Sequence, residues 1–139
     1  LSAPIGSLLC GTEEFIYKAR RTRKALGGGM RQAGIIASSG KVALDCSIEQ
    51  LSIDHDNAKY LADEINKISY LNIEIDCIKT NILYFSINHD SISGSQFVQL
   101  MYDKGIKFFE VSKNKFRLVT HSGINHDDVK YVIAMFNTI

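Results

Sequence analysis

Leu71-Asn72-Ile73-Glu74-Ile75-Asp76-Cys77, followed closely by Ile82-Leu83-Tyr84-Phe85-Ser86-Ile87, is the stretch that decides the fold. Leu71, Ile73, Ile75 and Cys77 alternate with Asn72, Glu74 and Asp76, and this period of two predicts a half-buried strand. The second segment is apolar almost throughout. It predicts a more deeply buried strand, ended by the turn cluster Asn88-His89-Asp90. Upstream, Ala58, Leu61, Ile65 and Ile68 recur at helical spacing in a helix that starts near Ser52 or Asp54 and runs to about Ser69. Downstream, Ser93 or Ser95 caps a helix through Phe97, Val98, Leu100 and Met101, which Gly105 closes. Residues 106–111 and 115–121 flank a turn at 112–114 and predict a hairpin. Asn125 caps a last helix, with Asp127 and Asp128 in its first turn and Val129, Val132, Ile133 and Phe136 on one face. The order helix, strand, strand, helix, strand, strand, helix makes an α+β unit.

Before it the texture differs. Ile5-Gly6-Ser7-Leu8-Leu9-Cys10-Gly11 is a short apolar run bounded by glycines and reads as a buried strand, whose neighbours would have to come from elsewhere. Thr12 caps a helix that carries Glu13 and Glu14 at its start, ends near Leu26, and crowds Lys18, Arg20, Arg21, Arg23 and Lys24 towards its C-terminus. Gly27-Gly28-Gly29-Met30-Arg31-Gln32 follows. Gly27 alone fits an ordinary helix end. Three glycines in a row also let backbone approach a ligand or another subunit closely. Residues 30–45 read as a further helix, weakened by its interior Gly34 and Gly40.

Composition bounds the function. With 139 residues, 45% hydrophobic and 22% charged, the chain has enough material for a real core. A net charge of +1 gives no general electrostatic reason to bind nucleic acid or an anionic membrane. Cys10, Cys46 and Cys77 lack the paired short spacing of zinc or redox sites and read as buried or free thiols in a reducing, cytoplasmic compartment. No apolar run reaches the roughly 20 residues that span a bilayer. His55 between Asp54 and Asp56 is a weak metal signature that reads as a solvated first helical turn, and His89 and His126 lie among turn residues. There is no Gly-X-Ser-X-Gly elbow and no Walker phosphate loop.

Arg117 is the outstanding side chain. In Phe116-Arg117-Leu118-Val119-Thr120-His121, Phe116, Leu118 and Thr120 share one face of a strand, and Arg117, Val119 and His121 the other. An arginine within an apolar strand needs a partner. Its planar fork matches a carboxylate, either of the protein or of a substrate. His121 stands where the strand ends and reads as a loop or capping histidine.

Leu1-Ser2-Ala3-Pro4-Ile5-Gly6-Ser7-Leu8-Leu9-Cys10-Gly11, Arg20-Arg21-Thr22-Arg23-Lys24-Ala25-Leu26-Gly27-Gly28-Gly29-Met30-Arg31-Gln32-Ala33-Gly34, Thr80-Asn81 and Arg117-Leu118-Val119-Thr120-His121 together closely resemble the low-specificity L-threonine aldolase family. The resemblance spans the chain in order; Thr22 departs from it, where a bulky aromatic is common. It implies a fold-type I pyridoxal-phosphate enzyme of the aspartate-aminotransferase-like fold. Residues 1–50 would be the last strand, basic helix, glycine-rich loop and helix of the large cofactor-binding domain. Residues 51–139 would be the small C-terminal domain, an antiparallel sheet packed with helices.

The resemblance also implies the roles. Lys24 and Arg31 correspond to cofactor-phosphate residues, and Arg117 to the arginine that grips the substrate α-carboxylate. The Schiff-base lysine belongs just upstream of Leu1, so these 139 residues read as part of an aldolase, inactive in isolation and lacking the N-terminal large domain. The implied reaction cleaves L-threonine or L-allo-threonine to glycine and acetaldehyde, in a tetramer with sites built between subunits. The alternatives are a related pyridoxal-phosphate β-eliminating lyase and a catalytically incomplete fragment that serves only as an interaction domain.

Overall fold

The computed structural model describes residues 1–139. The chain divides into two compact units, Leu1–Ile48 and Glu49–Ile139. In the first, α1 (Glu13–Ala25) and α2 (Gly34–Cys46) follow an irregular N-terminal segment. Thr12 Oγ1 accepts the Phe15 amide at 3.3 Å, and Glu13 and Glu14 occupy the positive first turn of α1. Residues 1–10 form no strand and are exposed, with Leu8 at 81%. The buried strand expected there does not form: no strand of the chain pairs with this segment, whose backbone groups therefore have no ladder to join. Helix α2 starts four residues later than the sequence predicts: Gln32 has φ +51°, which no α-helix accommodates.

The second unit carries α3 (Gln50–Ile65), β1 (Leu71–Ile73), a 3-10 turn (Ile75–Cys77), β2 (Ile82–Ile87), α4 (Gly94–Asp103), β3 (Phe109–Ser112), β4 (Lys115–Val119) and α5 (His126–Phe136). Its antiparallel sheet has the order β1-β2-β4-β3. The strand expected over 71–77 stops at Ile73, opposite Phe85; the Cys77 amide then bonds the Glu74 carbonyl and turns the chain back towards β2. Strand β2 is not buried on both sides. Leu83, Phe85 and Ile87 are buried, whereas Ile82 and Tyr84 are 38% and 46% exposed. Helix α3 starts at Gln50 and ends at Ile65, earlier at both ends than its apolar spacing predicts.

Both caps expected downstream form. Ser93 and Gln96 make a reciprocal capping box on α4, and Asn125 and Asp128 make one on α5. Gly105, at φ +81°, closes α4 as its amide reaches the Tyr102 carbonyl and the Ile106 amide reaches Met101. No helix is long and apolar enough to cross a membrane.

The core lies between one face of this sheet and the three helices of the unit. Phe85, Phe97, Phe108, Phe116 and Phe136 form a mutually touching cluster, with Phe85 directly opposite Phe116 across β2 and β4 at 5.1 Å between ring centroids. Offset and tilted aromatic pairs of this kind add about 0.5–1.5 kcal/mol each beyond their area burial. Ala58, Leu61 and Ile65 of α3, Met101 of α4 and Val129 of α5 complete the core.

Tyr70 ties its rim: the hydroxyl donates to the Phe136 carbonyl, and burial pushes the phenol up to about 12. Because the folded protein holds this proton more tightly than the unfolded chain, the stability Tyr70 contributes is intact below pH 10 and is lost as pH rises towards 12. Tyr70→Phe should lower unfolding stability by about 1–3 kcal/mol at neutral pH through the orphaned carbonyl. It should also flatten the alkaline decline; denaturant unfolding at pH 8 and pH 11 measures both.

Candidate functional site

In the first unit the sequence at the end of α1 builds a cationic ledge. The Gly27 amide bonds the Lys24 carbonyl at 3.2 Å and the Gly28 amide bonds the Arg23 carbonyl at 2.8 Å. With Gly27 at φ +87°, this is a Schellman closure. A Cβ at Gly28 would stand 2.7 Å from Arg23 Cγ, and one at Gly29 would stand 2.6 Å from Lys24 Nζ. The glycines therefore let the Arg23 and Lys24 side chains fold back along the loop. The amides of Gly27 and Gly28 are spent on the helix end. Arg31 follows in an exposed turn before α2. Neither Lys24 nor Arg31 enters an ion pair: all four salt bridges of the chain are local pairs within helices or at their ends, and none involves these residues.

In the second unit, β4 sets Phe116, buried, towards the core and Arg117, exposed, on the opposite face, as the strand period requires. Register places Arg117 between Tyr84 of β2 and Phe109 of β3, with Val119 opposite Ile82 beside it. That face is uncovered within the unit: Tyr84 is 46% exposed and Phe109 80%. Arg117, too, forms no ion pair with any carboxylate of the chain. The protein partner its position invites is not there.

A cleft of about 480 Å³ runs past this edge of the sheet, lined by Lys107, Phe109, Arg117, Val119, His121 and Asp128 among others. The one acid of these six is engaged, since an Asp128 carboxylate oxygen accepts the Asn125 amide at 2.9 Å. His121 Nδ1 accepts the Gly123 amide at 3.0 Å. In its neutral form His121 therefore carries its proton on Nε2, as a donor and not a base. The other histidines serve structure or solvent: His89 accepts the Ser91 amide and meets the Tyr70 ring, His126 packs on Tyr60, and His55 is exposed. Asp54 beside it is buried rather than solvated.

A second hollow of about 390 Å³ is lined by Asn72, Glu74, Cys77, Tyr84 and Lys115, among others, with the Lys115 ammonium 5.9 Å from the Tyr84 ring centre. All three cysteines are free and exposed, so none is the buried thiol the sequence allowed. Cys77 donates to Glu74 at 3.3 Å, and that hydrogen bond, with the carboxylate's charge, raises the thiol above its ordinary value. Reactive cysteines sit in the opposite, electropositive setting.

What reading the sequence missed is the framing of Arg117 by Tyr84 and Phe109. The alternation along each strand was the available signal, but the partner strand and its register are long-range facts.

Residues 1–88 match the family model described as beta-eliminating lyase, a span that ends before Arg117. Over its whole length the chain is 36% identical to a probable low-specificity L-threonine aldolase 2 of Arabidopsis thaliana. It is 34% identical, again over its whole length, to the alanine racemase TOXG of Cochliobolus carbonum. It spans only 39% and 36% of those relatives. Among solved structures, a cystine C–S lyase, C-DES, in complex with cysteine persulfide superposes with a TM-score of 0.62 at 12% identity, over 75% of this chain and 28% of that one. That likeness establishes a shared fold.

Removing the Glu74 charge should free the Cys77 thiol. Glu74→Gln is expected to speed iodoacetamide alkylation of Cys77 at pH 8, read by peptide mass spectrometry, with Cys10 and Cys46 as internal standards.

Proposed function

The chain belongs to the beta-eliminating lyase family, and we propose that it is the C-terminal part of a pyridoxal-phosphate-dependent aldolase that cleaves L-threonine or L-allo-threonine to glycine and acetaldehyde. The observation that carries this reading is Arg117, a guanidinium in the middle of an uncovered and largely apolar sheet face, with no protein carboxylate to neutralise it. A fork of donors in that setting suits the carboxylate of an amino acid, which it grips in two places. The likeness to a threonine aldolase over the full chain supports the specific reaction.

The cations of the first unit fit a phosphate ester. Lys24 folds along the glycine run, Arg31 follows it, and neither is offset by an acid. Phosphate binding needs fixed charge of this kind. Pyridoxal phosphate, when bound, supplies the sink for the electrons that Cα–Cβ cleavage leaves behind. On this reading the role of this chain is grip: Lys24 and Arg31 would hold the phosphate, and Arg117 would hold and orient the α-carboxylate. His121, with Nδ1 occupied, stands near Arg117 as a donor. On this reading the lysine for the Schiff base belongs to the rest of the complete protein, which we take to act as a tetramer.

A second reading, a β-eliminating lyase acting on an amino acid with a leaving group at Cβ, is favoured by the family description and by the fold shared with a cystine C–S lyase. Products separate the two. The complete protein should release acetaldehyde and glycine from threonine, whereas release of ammonia and a 2-oxo acid instead would establish the second reading.

Arg117→Ala should raise the KM for threonine by about tenfold or more, the worth of a charge-assisted bidentate contact, and leave the cofactor's absorbance titration unchanged. Equal loss of both would sink the assigned role. On the same reading, the 139 residues alone should give no stoichiometric borohydride-stable cofactor adduct at a single lysine.

A further inference from the structure

We propose that Asn81 is a positioning residue for Arg117, acting through a polar clamp on Thr120; this rests on Arg117 being the carboxylate grip. Strand β4 is held on one side by β3 and on the other by β2, but β3 runs out first. Its pairing begins at Phe109 opposite Arg117, so beyond Arg117 only the β2 side holds the strand. On that side the last registered pair is Ile82 with Val119. Just past it, where the ladder would fray, Asn81 and Thr120 close it.

The Thr120 amide donates to the Asn81 carbonyl at 3.0 Å, and the Asn81 side-chain amide donates back to the Thr120 carbonyl at 2.6 Å. A hydrogen-bonded antiparallel pair normally exchanges two backbone bonds. Here the Asn81 side chain supplies the second, before β2 has begun.

The clamp is anchored in the core. Thr120 is 2% exposed, and its hydroxyl donates to the Asp54 carbonyl of α3 at 2.6 Å, while Asn57 of the same helix donates to the Ile124 carbonyl at 3.3 Å. Asp54 is itself buried and braced by Gln50 at 3.0 Å. The end of β4 and the segment after it are thus bolted to α3. What this protects is phase. A slip of one residue would exchange the faces of β4 and turn Arg117 towards the phenylalanine core. Smaller fraying would displace Arg117 within the cleft that it lines. Asn81 does not line the cleft, and its hydrogen bonds reach the lining at Thr120, which makes β4 the route by which it acts on a ligand.

The test is a double-mutant cycle in the complete holoenzyme, read by spectroscopic titration with glycine, which has the carboxylate, and with methylamine, which lacks it. Asn81→Ala should weaken glycine binding about fivefold, the worth of one lost hydrogen bond, and leave methylamine binding and the cofactor titration unchanged. In an Arg117→Ala background, Asn81→Ala should cost nothing further. Additive losses, or equal weakening of glycine and methylamine, would overturn the proposal, because a merely structural Asn81 behaves that way. Should Asn81→Ala fail to fold, the near-isosteric Asn81→Asp, which removes the donor and sets a charge against the Thr120 carbonyl, should give the same pattern, and its absence counts equally against the idea. If Arg117→Ala alone leaves glycine binding intact, the carboxylate assignment itself falls and takes this proposal with it. If Arg117→Ala weakens glycine binding while Asn81→Ala does not, only the positioning role is lost.

Discussion

The antiparallel pairing of β2 with β4, with Phe85 set against Phe116, is the contact on which the second unit depends. It is both the centre of the core and the determinant of register. Once two phenylalanines face each other inside, the strand period obliges Tyr84 and Arg117 to face each other outside. The apolar side then collects Phe97, Phe108 and Phe136 from α4, the segment before β3, and α5. The placement of Arg117 is in this sense a by-product of core packing: it stands where it does because its neighbour in sequence must be buried.

The first unit shows a different economy. There the informative residues act locally, and the glycine run closes a basic helix before it does anything else. Two of its amides satisfy helix carbonyls, and its missing Cβ atoms leave room for the Arg23 and Lys24 side chains. The loop after α1 thus carries cations along its length as well as closing the helix. Much of this unit's apolar surface, including Leu8, Leu26, Met30 and Ile35, remains exposed in the chain by itself. Patches of that kind usually mark an interaction surface.

The relatives carry three reaction names, an aldolase, a racemase and a C–S lyase, around a common family or fold. All three names refer to an amino acid, threonine, alanine or cystine. Membership of a shared family or fold therefore does not by itself specify which bond is broken. Fold and reaction are separable for this reason.

Local chemistry was legible in the amino-acid sequence. Thr12, Ser93 and Asn125 as caps, Gly27 and Gly105 as helix ends, the α+β order after residue 51, and the opposite phases of Phe116 and Arg117 all follow from interactions spanning a few residues. The errors lie where long-range contact overrides pattern. Residues 75–77 alternate like a strand but turn because β2 must fold back against β1, and residues 5–11 read as a strand but pair with none of the chain's four. Only the tertiary structure decided that Arg117 lies between Tyr84 and Phe109, that no protein carboxylate reaches it, and that Asn81, Thr120 and Asp54 close into one clamp across 66 positions of chain. A strand's own sequence specifies which side chains share a face, but the neighbours across that face come from segments brought together by the burial of the phenylalanine core.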